Sequence, residues 1–246
     1  MATTLVSYNI RHGGIGREDA IAAVLGSASA DVVVLQEAVS PAVVERLARA
    51  CGFAHCEARP GYSLAVMSRA PLHACAWKRS FWARRAVLRL ELDDGLVVFG
   101  VHLSAIHSNI TEWRRVREVR SLLALAAHDS ERRHVIAGDF NTLAQGEVLD
   151  LARLPPHLRA VTWLTGRRIR WRIVGLMLDA GYVDAFRLLD TDGRGYSFPA
   201  ADPHLRLDYA FVRSRDAASV GLCEVVRHDE AARASDHLPL RLSIGV

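Results

Sequence analysis

The sequence predicts an α+β sandwich in which two mainly antiparallel sheets pack face to face with helices outside. About nine apolar, strand-like runs are interleaved with a few helical stretches, without the strict alternation of a parallel doubly wound sheet. Residues 63–104 have the pattern of consecutive antiparallel strands, and "DDG" at 93–95 is typical of a hairpin turn. Half of the 246 residues are hydrophobic, so we expect a single domain over residues 1–246.

The predicted strands are short runs rich in Val, Leu and Ile, bounded by turn-forming or polar residues. They cover residues 4–10, 31–37, 63–68, 86–92, 96–104, 134–140, 206–212, 221–228 and 238–244.

Three helices are predicted between these strands. Residues 17–29 and 41–51 are rich in alanine, and Pro41 suits the first turn of the second helix. The clearest helix covers 112–128, where apolar residues recur at helical spacing with arginines on the other face. Thr111 is predicted to be its N-cap.

Composition narrows the class of protein. The formal net charge of +4 fits an anionic substrate, although it is weak support. No apolar run approaches the roughly 18 residues of a membrane span, and no signal peptide is apparent. The four cysteines form no CxxC pair, which favours reduced packing cysteines over disulfides or zinc. We therefore expect a cytoplasmic protein without a membrane span, and we expect a monomer.

Polar side chains recur where the predicted strands end. Asp139 and Asn141 follow the apolar run at 134–138, and residues two apart in an extended strand point to the same side. Each polar strand end has a structural explanation of its own, such as a turn, a cap, an ion pair or a satisfied core histidine. One shared site explains them together, because buried polar groups need partners. The other polar strand ends are Asn9, Glu37, His102, Asp208, Asp236 and His237.

These residue types have a common chemistry. Carboxylates with an amide suit a hard divalent cation such as Mg²⁺, which prefers oxygen ligands, and Mn²⁺ is a possible substitute. A histidine beside a carboxylate suits proton transfer near neutral pH, because the anion raises the imidazole pKa. A metal ion, an aspartate and a histidine together can catalyse the attack of water on a phosphate ester.

The chain resembles the endonuclease/exonuclease/phosphatase superfamily, which has the DNase I-like fold, over nearly its whole length. The resemblance implies a four-layer αββα sandwich and metal-dependent cleavage of phosphate esters. The motifs that carry it stand in family order and spacing: "SYNIRHGG", "VVVLQEA", "GYSLAVMSRAPL", "GVHLSA", "VIAGDFNTL", "LRLDYAFV" and "ASDHLPL".

The resemblance implies roles for the metal side of the site. Glu37 is similar to the principal Mg²⁺ ligand of the family, and Asn9 beside it would bind metal or phosphate. Asp236 would lie close to the metal, where a second ion is an open alternative.

The resemblance also implies five catalytic residues. Asp139 resembles the group that positions or deprotonates the attacking water, and Asn141 resembles a donor to the phosphate. His237 resembles the catalytic histidine, with Asp208 as its carboxylate partner. His102 resembles the second histidine, which donates to the phosphate or the leaving oxygen. Whether Asp139 or His237 is the formal base stays open at this level.

The sequence says less about which phosphate ester is cleaved. Arg11 stands where abasic-site endonucleases of the superfamily usually carry a carboxylate, which is closer to the DNase I and sphingomyelinase-like branches. The cluster "TGRRIRWR" at 165–172 indicates either a grip on a polyanion or a solvated helix start. Arg11, His107, Asn109 and Arg114 are candidates for substrate binding, and surface polar residues are the alternative.

We therefore predict a phosphodiesterase or nuclease acting on DNA or another nucleic acid. A phosphomonoesterase, or a lipid phosphodiesterase of sphingomyelinase type, would use the same residues. A non-catalytic binding module would have lost a metal or base residue, and none of the eight implied positions is lost.

Overall fold

The computed structural model describes residues 2–79, 85–105, 108–147, 150, 159–160 and 171–245. Within these ranges twelve strands form two six-stranded sheets. The strands are β1 Ala2–Asn9, β2 Val32–Gln36, β3 His55–Ala58, β4 Leu64–Ser68, β5 Leu72–Lys78, β6 Val87–Leu92, β7 Val97–His102, β8 His134–Asp139, β9 Tyr182–Asp184, β10 Asp208–Arg213, β11 Val220–Val225 and β12 Leu240–Gly245.

The two sheets have matching topologies. The first has the strand order β11-β12-β1-β2-β4-β3, and the second has the order β5-β6-β7-β8-β10-β9. Each contains one parallel pair near its centre, β1 with β2 and β7 with β8, and its other pairs are antiparallel. The predicted α+β sandwich of mainly antiparallel sheets is confirmed.

Helices cover the outer faces of both sheets. Residues of α1, α2 and α6 pack on the outer face of the first sheet, and residues of α3 and α4 pack on the second. The layers are therefore helix, sheet, sheet, helix, as the resemblance implies. The helices are α1 Glu18–Ser27, α2 Pro41–Ala50, α3 Asn109–Ala126, α4 Ile173–Asp179, α5 Ala185–Leu189 and α6 Ala231–Ala234.

The run at 63–104 was predicted as consecutive antiparallel strands, and this is wrong for its first strand. β4 belongs to the first sheet, whereas β5, β6 and β7 form an antiparallel meander in the second. The chain changes sheets between Ser68 and Leu72. The predicted turn at 93–95 is confirmed, since Gly95 has a positive φ of 80° and its N–H donates to the carbonyl of Leu92.

The long helix α3 begins earlier than predicted. Its N-cap is Ser108, whose hydroxyl accepts from the N–H of Thr111, and the Thr111 side chain accepts from the N–H of Ser108. This reciprocal capping box makes Thr111 a helical residue rather than the predicted N-cap.

The interior between the sheets is apolar over most of its length and polar at one end. Inward-facing positions alternate along each strand, and apolar ones such as Val34, Val98, Val135 and Ala137 fill this interior. The sheets approach closely at Gly100, where an added Cβ would lie 2.6 Å from Val34 Cγ1. Beyond this contact the inward-facing side chains become polar, which places a polar pocket at one end of the apolar core.

Two further predictions concern membranes and cysteines. The helices in the described part of the chain include none that is long and apolar enough to cross a membrane. All four cysteines are free thiols, with Cys223 buried and Cys51, Cys56 and Cys75 half-buried.

Candidate active site

Strand register brings three predicted site residues to the same level of the second sheet. His102 at the end of β7 pairs with Asp139 at the end of β8, and Asp139 pairs with Asp208 at the start of β10. All three side chains point into the interior between the sheets, and each residue is at most 3% exposed. The convergence predicted from strand-end polarity is therefore present in the fold.

Asp139 lies at the centre of the pocket. Its Oδ1 accepts from the Asn141 N–H at 2.9 Å, and its Oδ2 accepts from Asn141 Nδ2 at 2.8 Å and from Asn9 Nδ2 at 3.0 Å. The nearest nitrogens of two histidines, Nε2 of His102 and Nε2 of His237, each lie 3.8 Å from Asp139 Oδ2. That separation is too long for a hydrogen bond.

The local backbone at Asp139 depends on its neighbours. Gly138 has a φ of 154°, and a Cβ there would lie 2.0 Å from the carbonyl oxygen of Val101 on β7. Only glycine lets β8 approach β7 so closely at this point. Asn141 has a φ of 49°, a left-handed conformation that asparagine tolerates better than most residues. This bend returns the Asn141 amide to Asp139.

His237 and Asp208 form one wall of the pocket. Nδ1 of His237 lies 2.8 Å from Asp208 Oδ2, and Ser197 Oγ donates to the same oxygen at 2.6 Å. The ring of Phe198 packs against the His237 ring, with 4.9 Å between centroids. Asp208 Oδ1 is buried and has no hydrogen-bond partner among the described residues. The imidazole is thus held in one orientation, with Nε2 directed towards Asp139.

His102 forms the opposite wall with different partners. Its Nδ1 lies 3.3 Å from Ser63 Oγ and 3.4 Å from Arg85 Nη1. Because a guanidinium can only donate, a bond from Arg85 requires an unprotonated Nδ1, which leaves the proton on Nε2, facing Asp139.

The two histidines have pKa values shifted in opposite directions. Burial lowers the pKa of His102 to about 4 against the attraction of Asp139. Burial would also lower the pKa of His237, but the carboxylates of Asp208 and Asp139 raise it to about 10. Burial raises the pKa of the Asp139 carboxyl, and the nearby His237 partly offsets this. At neutral pH His237 therefore carries two protons and His102 carries one.

The metal side of the predicted site comes from the first sheet. Asn9 Nδ2 lies 3.5 Å from Glu37 Oε1 as well as 3.0 Å from Asp139 Oδ2, so Asn9 bridges the two carboxylates. Glu37 Oε2 accepts from the His12 N–H at 2.6 Å. The Glu37 side chain is 29% exposed, so its carboxylate is accessible at the mouth of the pocket. Glu37 has a φ of 56°, a strained conformation of the kind found at functional sites.

Asp236 and Arg11 lie beside this carboxylate pair. Arg11 Nε is 3.5 Å from Asp236 Oδ2, and the Arg11 N–H donates to Asn9 Oδ1 at 2.9 Å. The hydroxyl of Ser235 donates to the carbonyl of Asn9 at 2.6 Å, which fixes the loop before β12 to the end of β1. The two ends of the chain are thus joined where they contribute to the pocket.

The structure gives no contact between the remaining described substrate-binding candidates and the pocket residues named above. Asn109 is the first residue of α3, Arg114 is exposed on that helix, and His107 lies outside the described residues. Most of the arginine-rich stretch at 165–172 also lies outside them. Trp171, a described residue of this stretch, packs against an apolar cluster rather than standing free for a base.

One group of side chains could hold a metal ion by ligand spacing. Asp139, Asp208 and His237 each offer a ligand atom, and these atoms lie within 4.8 Å of one another. However, Asp208 Oδ2 and His237 Nδ1 already bond to each other, which is the arrangement of a proton-transfer pair. Glu37 and Asp236 offer harder oxygen ligands at the accessible mouth, with the buried Asn9 next to Glu37, and this donor set fits Mg²⁺ better.

Sequence reasoning missed four residues that surround the histidines: Phe198, Ser63 and Arg85 contact a ring, and Ser197 donates to Asp208 behind His237. Ser197 and Phe198 lie on the loop before β10, and Ser63 and Arg85 reach His102 from outside β7. Ser63 stands in the quoted motif "GYSLAVMSRAPL", which was the only available signal. The others approach only through the tertiary fold.

A buried aspartate between two histidines, with amide donors and an accessible glutamate, defines a site able to activate water against a phosphate ester. Residues 6–237 match the Endonuclease/Exonuclease/phosphatase family, and the chain belongs to that family. Endonucleases, exonucleases and phosphatases all hydrolyse phosphate esters, so membership supports phosphoester hydrolysis as the activity class. Among curated proteins, none matches this chain.

Solved structures share the fold over the whole chain. An AP endonuclease from Archaeoglobus fulgidus superposes with a TM-score of 0.75 at 17% identity, covering 99% of this chain and 100% of that one. The 3′ phosphatase NExo from Neisseria, bound to a product DNA hairpin, superposes with a TM-score of 0.72 at 18% identity and the same coverage of both chains. An endonuclease/exonuclease/phosphatase from Beutenbergia cavernae gives 0.72 at 22% identity, covering 99% of this chain and 72% of that one.

Proposed function

We propose that this protein is a Mg²⁺-dependent phosphodiesterase of nuclease type, which cleaves DNA or another nucleic acid with an activated water. The observation that carries the proposal is the convergence of Asp139, His237 and Asp208 beside the accessible Glu37.

Asp139 is the proposed base. Burial raises the pKa of its carboxyl, which increases its affinity for a proton taken from water. Its Oδ2 lies 3.8 Å from each histidine Nε2 atom, a separation that a water or phosphoryl oxygen beside the pair would bridge with normal hydrogen-bond lengths. His237 is a poor base because its pKa of about 10 keeps it protonated at neutral pH.

The histidines are the proposed donors to the substrate. Protonated His237, held by Asp208, offers an N–H and a positive charge to a phosphoryl oxygen. His102 remains neutral and offers the N–H at Nε2 without adding charge. Asn141 is the third proposed donor. Its Nδ2 donates to Asp139 Oδ2 at 2.8 Å and to the Leu103 carbonyl at 3.2 Å, so it would exchange one of these bonds for a bond to a phosphoryl oxygen.

The metal would be held by Glu37 together with Asn9 and Asp236. Asn9 Oδ1 accepts one hydrogen bond from Arg11 and keeps a second lone pair for a ligand. When bound, Mg²⁺, or Mn²⁺ in its place, supplies positive charge that neutralises the phosphoryl oxygens.

A nucleic-acid substrate is supported by two of the structural neighbours, an AP endonuclease and a phosphatase bound to a DNA hairpin. Arg11, exposed beside Asp236, is the proposed contact to the substrate backbone, and Asn109, Arg114 and His107 stay predictions. We also propose that residues 1–246 form one domain that acts as a monomer. The four free cysteines support a cytoplasmic location.

The test is a substrate panel with Mg²⁺, with Mn²⁺ and with a chelator. It contains plasmid DNA, single-stranded DNA, bis-p-nitrophenyl phosphate, p-nitrophenyl phosphate and sphingomyelin. We expect cleavage of DNA and of the small diester that is abolished by the chelator. Hydrolysis of the monoester or of sphingomyelin without nicking of any DNA would replace the nuclease proposal with one of the two other enzyme classes.

A further inference from the structure

A pocket next to the histidine pair remains without a role in the proposed reaction. Its volume is about 380 Å³, and its polar lining comes from Tyr62, Ser63, Arg79 and Arg85. Val39 and Leu64 form an apolar part of the wall. We call this cavity the arginine pocket. Its size is within the range of small-ligand sites in proteins.

The arginine pocket adjoins the active site through shared residues. Ser63 Oγ and Arg85 Nη1 lie 3.3 and 3.4 Å from Nδ1 of His102, whose other ring nitrogen faces Asp139. Val39 lies two residues after Glu37 and its N–H donates to the Glu37 carbonyl at 2.8 Å. A substrate held between Glu37 and His102 therefore lies against the entrance of this pocket.

The charge of the pocket has no internal compensation. Arg79 and Arg85 form no ion pair with any described residue, and no acidic side chain from the described ranges lines the cavity. By contrast, Arg89 on β6 pairs with Asp129, and Arg132, just before β8, pairs with Glu91. Two uncompensated guanidinium groups with two hydroxyls are a donor set suited to an anionic oxygen group, and guanidinium is well matched to phosphate.

We infer that the arginine pocket binds a second phosphate group of the substrate, one that flanks the phosphate being cleaved. This inference rests on the proposed function and extends it to the substrate: the enzyme would prefer chains with adjacent phosphates over isolated phosphodiesters. Tyr62 and Leu64 would contact the sugar or base attached to that phosphate. A single small diester cannot reach both sites.

The test compares dinucleotides that contain one phosphodiester with the same dinucleotides carrying an additional 5′ or 3′ phosphate. We expect one of the added phosphates to raise kcat/KM of the wild-type protein about ten-fold or more, as charge-assisted hydrogen bonds do. In Arg79→Gln this gain should fall to less than two-fold. The readout is the ratio of kcat/KM for the substrates with and without the added phosphate. A variant that is less active on both substrates leaves this ratio unchanged.

Lys78→Gln is the matched control. Lys78 is the exposed residue next to Arg79 and does not line the pocket, so this variant removes the same charge and should keep the full gain. The inference is overturned if neither added phosphate accelerates cleavage, if Arg79→Gln keeps the gain, or if Lys78→Gln loses it equally.

A second measurement does not depend on catalysis. Titration with inorganic phosphate in metal-free buffer, followed by calorimetry, should show binding that Arg79→Gln weakens about ten-fold and Lys78→Gln does not. Phosphate binding of this pattern in a protein that cleaves no phosphate ester would keep the pocket and refute the proposed function. Cleavage without any effect of Arg79 in either assay would keep the function and refute the pocket.

Discussion

The two walls of the pocket hold the same residue type at the same distance from the same carboxylate. His102 and His237 are both almost fully buried, and each has its Nε2 atom 3.8 Å from Asp139 Oδ2. The pKa of His102 is lowered to about 4, whereas that of His237 is raised to about 10. Proximity to Asp139 and burial are common to both histidines, so neither factor explains the difference.

The partners on the far side of each ring do explain it. Nδ1 of His237 lies against the Asp208 carboxylate, while Nδ1 of His102 lies against the Ser63 hydroxyl and the Arg85 guanidinium. An anion stabilises the imidazolium and a cation opposes it. The comparison shows that the side chain on the far side of the ring decides whether each of these two buried histidines is charged.

The largest expected effect is at the carboxylate that both walls share. Asp139→Asn keeps the shape of the side chain but cannot accept a proton, so kcat/KM should fall about 10³-fold. Steady-state kinetics on a small diester measure the loss.

Thermal unfolding of Asp139→Asn is the control, and its midpoint should stay close to that of the wild-type protein. An active variant with a normal fold would mean that the proton acceptor lies on one of the walls instead.

The next largest effect is at the residue that distinguishes the two walls. In Asp208→Asn the His237 imidazolium loses its principal stabilising charge, so the pKa of His237 should fall towards that of His102. Activity should decrease about 10²-fold near neutral pH. NMR titration of the His237 Cε1 proton measures the pKa. A His237 pKa that stays near its original value would show that Asp139 alone is sufficient to hold the proton.

The two histidines should also give the unfolding free energy opposite pH dependences, each in its own pH range. The unfolded state binds more protons at His102 between pH 4 and about 6.5, so stability rises with pH there. The folded state binds more protons at His237 between about 6.5 and 10, so stability falls with pH in that window.

His102→Gln should remove the first of these slopes, which corresponds to about 2 kcal/mol of unfolding free energy between pH 5 and pH 7. Urea unfolding across the pH range measures it, with wild-type protein as reference. If the variant keeps the wild-type slope below pH 6.5, the slope arises from other groups.

The smallest expected effects are on stability, at one serine hydroxyl in each wall: Ser197, which bonds to Asp208, and Ser63, which lies against His102. Ser197→Ala deletes a 2.6 Å bond to the buried Asp208 and should reduce the unfolding free energy by about 1–2 kcal/mol. Ser63→Ala is the matched substitution on the other wall and should have an effect below about 1 kcal/mol, because Arg85 still faces His102. Equal losses in the two variants would contradict the asymmetry between the walls.

Sequence pattern is sufficient for the central strands and insufficient for three of the four edge strands. β1, β2, β7 and β8 are apolar enough to be recognised alone because both of their faces are covered. β3, β5 and β9 were not predicted, since these edge strands are half-exposed or very short and exist through pairing with one neighbour. Propensity in such segments depends on tertiary context.

The site, like the sheets, has features that the sequence pattern predicts and features that depend on the tertiary fold. Asp139, His102 and Asp208 could be predicted because each lies at a strand end, where register alone brings them together. The opposite charge states of the histidines could not be predicted, because Arg85 and Ser197 come from segments remote from the strands they contact. The sequence therefore predicts which strand-end residues come together, but not which side chains contact the far side of each histidine ring.

The left-handed backbone at Glu37 and Asn141 has an evolutionary consequence. Glycine would adopt these conformations with less strain, and such strain costs about 1–3 kcal/mol at each position. Substitution by glycine would therefore ease the main chain while deleting a carboxylate or an amide. Selection for stability alone would favour glycine at these two points, so a carboxylate and an amide are expected there only where their side chains are themselves under selection.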